Sequence, residues 1–83
     1  MPTVLRFDGY RVVVYPADHV PAHVHVFGSG SEAIFKLNCP SGPVELRENY
    51  GFSRPAIAGI RAALDDAVSV LCQAWSRIHG QTR

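Results

Sequence analysis

Apolar and polar positions alternate with period two along the first half of the chain and change to a three- and four-residue spacing along the last third. The first pattern belongs to strands with one buried face, the second to an amphipathic helix. Val4–Phe7 and Tyr10–Tyr15 are β-rich runs separated by Asp8-Gly9, a pair that supplies positive φ at both centres of a type I′ hairpin turn. A two-residue loop fixes the register, so Phe7 should face Tyr10, Leu5 should face Val12, and Arg6 should oppose Arg11. After a Pro-containing loop, His23–Phe27 alternates as a third strand and Gly28–Ser31 turns into a fourth, Glu32–Leu37, with Ala33, Phe35 and Leu37 on one face. A second Pro/Gly turn precedes a fifth strand, Val44–Asn49. Short loops between successive strands imply an antiparallel meander.

Ser53 is a suitable N-cap, and Pro55 falls in the first helical turn, where its missing N–H costs nothing. Beyond it Ile57, Ile60, Leu64, Ala67 with Val68, Leu71, Trp75 and Ile78 recur at helical intervals as far as Gly80. The expected fold class is α+β: a five-strand antiparallel β-meander over about residues 3–49, packed against one long C-terminal α-helix over about 54–79 (β-β-β-β-β-α). At 1.5 Å per residue such a helix is roughly 38 Å long, against about 17–20 Å for the strands. Its end should overhang the sheet, which makes Trp75 and Ile78 candidate partner-binding residues; the alternative is that loops fold over the overhang.

With 83 residues the chain has room for one core and reads as a single domain over 1–83. Apolar residues make up 47% and charged residues 18%, the balance of an ordinary globular protein. A net charge of +1 gives no long-range field to gather nucleic acid or an anionic membrane, so any such binding needs a local patch. No apolar stretch reaches membrane-spanning length, and the Met-Pro-Thr start has neither a basic nor an apolar signal region. The expected location is cytoplasmic. Cys39 and Cys72 are too few for a disulfide scaffold or a four-cysteine zinc site, and both read as reduced thiols.

The candidate chemistry is a histidine cluster, Asp18-His19-Val-Pro-Ala-His23-Val-His25-Val-Phe27. His23 and His25 share a strand face, and the preceding loop can fold His19 or Asp18 back toward them. Three jobs fit. Two imidazoles two apart on a strand can reach one Zn²⁺ or other divalent ion, with His19 or a carboxylate completing the set. Alternatively His23 and His25 act as general base and acid in metal-independent, ribonuclease-like cleavage of RNA, with His19 or Asp18 orienting them; no cofactor is needed then. Arg6 and Arg11, with Arg47 and Arg54, are the available phosphate holders. In the third reading the histidines only fix strand geometry or meet a partner protein. Opposed Arg6 and Arg11 call for an anionic neighbour, which is either a ligand or Glu32, Glu45 or Glu48 on adjacent strands.

The Met-Pro-Thr-Val start, the Asp18-His19-x-Pro21-x-His23-Val24-His25-Val26 run, Glu45-Leu46, Gly51-Phe52-Ser53 and Ala74-Trp75 together resemble the small bacterial domain-of-unknown-function family 4160 (DUF4160), over essentially the whole chain. Members are often encoded beside a DUF2442 protein in an arrangement like a type II toxin–antitoxin pair. The resemblance therefore implies a toxin role with a small DUF2442-like antitoxin as partner, and it implies no particular reaction. Val20 and Ala22 stand where relatives often carry an acidic residue and a second proline. The sequence leaves a histidine-dependent toxin acting on RNA, a non-catalytic binding or regulatory module, and a metal-binding domain all open, as it does self-association.

Overall fold

The computed structural model describes residues 3–80. Five strands, β1 (Thr3–Phe7), β2 (Tyr10–Val13), β3 (His23–Gly28), β4 (Ser31–Lys36) and β5 (Glu45–Tyr50), form one antiparallel sheet in chain order. Asp8 and Gly9 both take positive φ, at 47° and 82°, as a type I′ turn requires. The expected pairs follow: Phe7 with Tyr10, Arg6 with Arg11, Leu5 with Val12. Ser29 and Gly30 repeat the device between β3 and β4, with φ of 51° and 79°, and pair Gly28 with Ser31 and Phe27 with Glu32.

Alternate residues of the inner strands build the core. Val12 and Val14, Val24 and Val26, and Ala33, Phe35 and Leu37 are buried against Ile57, Ile60, Leu64, Leu71 and Trp75 of the helical layer. Each such aliphatic side chain contributes about 1.5–3 kcal/mol on burial, so the register of these strands is strongly specified.

The helical layer differs from the single long rod expected. It consists of α1 (Arg54–Asp66) and α2 (Val68–His79), joined at Ala67 with φ −109° and ψ 10°. The Ala67 N–H reaches the Leu64 carbonyl at 3.1 Å, a tighter turn than the α-helical ladder makes. The apolar stripe runs through the junction without a missed interval, and no proline or glycine marks it. Two tertiary ties flank it: the Val44 N–H donates to the Asp65 carboxylate at 2.8 Å, and Cys72 is bonded to Cys39. Thirteen and twelve residues give helices of about 20 and 18 Å, close to the length of the strands. Trp75 is fully buried and Ile78 is half-buried against the core, so Trp75 offers no surface to a partner.

At its two ends the helical layer follows the local signals. The Ser53 hydroxyl accepts from the Ala56 N–H at 3.2 Å. Gly80 closes α2 in the left-handed region, with Arg77 and His79 in the last turn. No helix among the described residues is long and apolar enough to cross a membrane.

The cysteines correct the sequence reading: Cys39 and Cys72 form a disulfide across a sequence separation of 33. Spacing alone could not pair a loop thiol with a helix thiol; the β4–β5 loop does so by crossing over α2. A loop of this length confers about 3–4 kcal/mol in the chain-entropy account. Replacing both cysteines with serine should lower urea-unfolding stability by roughly that amount, and reductant should do the same to the wild type while leaving the serine variant unchanged.

Candidate functional site

β3 carries its two faces by strict alternation. Val24 and Val26 are fully buried in the core, and His23, His25 and Phe27 lie on the opposite face. That face is not bare near His25, because its cross-strand neighbour Val13 is also fully buried. The connection from β2 to β3 turns over it. Pro16 supplies the second position of a turn closed by the Asp18 N–H on the Tyr15 carbonyl at 3.0 Å. In return the Tyr15 N–H points to Asp18 Oδ2 at 3.3 Å. This reciprocal pair places the Asp18 carboxylate above β3.

Asp18 Oδ2 stands 3.4 Å from His23 Nε2 and 3.4 Å from His25 Nε2. One donor atom from each of the three residues lies within 4.8 Å of the others. The side chains are 18%, 11% and 14% exposed respectively, so the cluster is largely withdrawn from water. Each imidazole has its other nitrogen committed. His23 Nδ1 donates to the Pro21 carbonyl at 2.9 Å, and His25 Nδ1 donates to the Glu32 carboxylate at 3.1 Å. Neither acceptor carries a hydrogen, so in the neutral rings the hydrogen sits on Nδ1 and the Nε2 lone pairs face Asp18. His25 Nε2 is buried and makes no hydrogen bond.

Aromatic neighbours hold the rings. Tyr15 meets His25 edge to face at 4.7 Å, and Trp75 packs on His23 at 5.3 Å. On its other side Trp75 stacks with His79 at 3.8 Å, and His79 Nδ1 bonds the Trp75 carbonyl at 3.1 Å. Trp75 and the fourth histidine therefore support the cluster from beneath.

Of the residues singled out in the sequence, Asp18, His23 and His25 converge. His19 is exposed and lines the adjoining cleft without joining the three. Arg6 and Arg11 lie in the β1–β2 hairpin outside that cleft. Arg11 covers the Phe27 ring, its guanidinium carbon 5.4 Å from the centroid, and among the described residues neither arginine makes an ion pair with Glu32, Glu45 or Glu48. The position that sequence reasoning missed is Glu32. The Gly28–Ser31 turn sets Phe27 opposite Glu32 and His25 opposite Ile34, which leaves Glu32 diagonal to His25 on the same face.

The cleft over Asp18 and His23 has a volume of about 330 Å³ and is also lined by His19, Ile34, Arg47 and Glu48. Glu48 accepts a hydrogen bond from the Tyr50 hydroxyl. That bond, followed by the carboxylate's charge, holds the hydroxyl above the ordinary tyrosine range. A larger groove of about 560 Å³ lies between β5 and α1, lined by Leu46, Ile57, Ala58 and Ala62 with Arg54, Arg61 and Asp65. It is mainly apolar and gathers no set of converging ligand atoms.

The family model described as "Domain of unknown function (DUF4160)" matches residues 9–76. No curated protein and no solved structure matches the chain. The tautomers assigned above have a direct check. Long-range ¹⁵N–¹H correlation spectra of the metal-free protein, with the rings neutral, should show His23 and His25 with the hydrogen on Nδ1.

Proposed function

The chain belongs to the DUF4160 family, and we propose that the domain is a mononuclear divalent-metal protein, of the zinc type, whose ligands are Asp18, His23 and His25. The observation that carries this reading is the convergence of two imidazole lone pairs on one carboxylate oxygen, with one of those nitrogens buried and unbonded. Three electron-rich atoms facing one another repel unless a cation lies between them. A proton on each Nε2 would give two ion pairs to Asp18, whereas one metal ion would meet all three atoms at once.

The spacing supports an ion. Ligands at about 2.0–2.1 Å from a tetrahedral centre stand about 3.3–3.4 Å apart, which is the separation of the carboxylate oxygen from both imidazole nitrogens. The supporting bonds suit it equally. A ligating histidine usually donates its other N–H to a carboxylate or backbone carbonyl, which fixes the tautomer and raises the ring's basicity; Glu32 and Pro21 occupy those roles.

Three protein ligands would leave a fourth position free, as in catalytic rather than structural zinc, and two of the three, Asp18 and His23, line the cleft. Asp18, His23 and His25 would hold an ion that, when bound, would supply Lewis acidity. His23 and His25 are then ligands and not the acid–base pair, since each ring has one nitrogen held by a fixed acceptor and the other turned to Asp18. A toxin role and RNA as the material acted on are compatible with such a site, and Lewis-acid chemistry at a phosphodiester would be the step involved.

Protein purified without chelator and dialysed against zinc should hold close to one equivalent per chain by elemental analysis. His23→Ala, His25→Ala and Asp18→Ala should each lose it while keeping the wild-type circular dichroism spectrum. Glu32→Ala should keep the ion but bind it about 10–100-fold more weakly in a competition titration with a chromophoric chelator. A folded wild type that takes up neither zinc nor another divalent ion would sink the reading.

A further inference from the structure

Opposite the proposed ligands, the cleft wall is formed by β5, and the pairing of β4 with β5 is irregular there. Ile34 pairs with Glu48 and Phe35 with Leu46, so Arg47 is an extra residue with no partner of its own. Such bulges bend a strand and re-aim its side chains. The consequence is that Arg47 and Glu48 both line the cleft together with Ile34, His23 and Asp18. Glu48 is engaged by the Tyr50 hydroxyl. Among the described residues Arg47 makes no ion pair with any carboxylate.

Arg47 is exposed and lines a cleft shared with the Asp18 and Glu48 carboxylates without pairing with either, and its planar fork of donors suits the oxygens of a phosphoryl or carboxylate group. Among the groups lining this cleft, a divalent ion and Arg47 outweigh the carboxylates of Asp18 and Glu48 in charge. We propose that Arg47 is the oxyanion-binding residue of the site. It would hold the phosphoryl or carboxylate end of a substrate in the cleft that Asp18 and His23 also line. His19, exposed on the same cleft, provides a second donor. Of the four arginines the sequence offered as phosphate holders, Arg6, Arg11 and Arg54 lie outside this cleft and take no part. The proposal rests on the metal reading above.

Cobalt(II) is the probe that separates the two. Loaded into the full chain, it reports its own uptake and any change in its ligands through visible absorption. Inorganic phosphate and acetate are then titrated separately into the loaded wild type and into loaded Arg47→Ala. The expected result is a saturable spectral change in the wild type. In Arg47→Ala it should need about 10-fold or more higher anion concentration, the loss of a charge-assisted hydrogen-bonding partner, with cobalt uptake unchanged. Arg6→Ala should titrate as the wild type does. Tighter binding of phosphate assigns a phosphoryl substrate, and tighter binding of acetate a carboxylate. Cobalt uptake with no anion response, or an equal response in wild type and Arg47→Ala, overturns the oxyanion site and leaves the metal reading standing. Failure of the folded chain to take up cobalt, zinc or another divalent ion overturns both.

Discussion

Burial of Val24 and Val26 against the helical layer is the constraint on which the rest depends. It fixes the facing of β3, and a slip of one residue would put both imidazoles into the core and both valines into the cleft. The cost of that inversion, several buried aliphatic groups exchanged for polar rings without partners, is what keeps His23 and His25 side by side on the other face. The same strand therefore seals the core with one set of side chains and builds the site with the other.

The site then needs three long-range acts. The turn at Pro16 folds Asp18 back over β3 through the reciprocal Tyr15–Asp18 hydrogen bonds. The two-residue turn at Ser29-Gly30 brings Glu32 beneath His25 Nδ1. The helical layer brings Trp75 under His23. Each of these holds a ring or a carboxylate in place, so the three donor atoms converge in the protein alone. Under the proposed metal reading, pre-organisation of this kind would remove much of the ordering cost that a flexible His-x-His pair carries.

The disulfide and the site share α2. Cys72 lies one helical turn before Trp75, and Cys39 anchors that helix to the loop that follows β4. With the Val44–Asp65 hydrogen bond on the other side of Ala67, the helical layer is pinned at two places by the same loop. A broken helix held in this way keeps its apolar stripe over a sheet shorter than the stripe itself.

The sequence by itself determined what depends on local chemistry. Asp8-Gly9 set the first hairpin and its register, period-two alternation set the strands and their buried faces, and Ser53 and Gly80 set the ends of the helical layer. It also placed His23 and His25 on one face and brought Asp18 within reach, because strand periodicity and loop length are short-range facts. What only the tertiary structure decided depends on contacts between distant residues. The break at Ala67 has no mark in an apolar stripe that stays in phase, and ties to the β4–β5 loop flank it on both sides. The Cys39–Cys72 bond and the burial of Trp75 depend on such contacts, whereas Asp18 rather than His19 becomes the third converging residue through the local Tyr15–Asp18 turn, which spacing alone did not single out. The selection of Arg47 from the four candidate arginines as the one lining the cleft also depends on distant contacts, because a bulge moves a side chain only when the partner strand is in place.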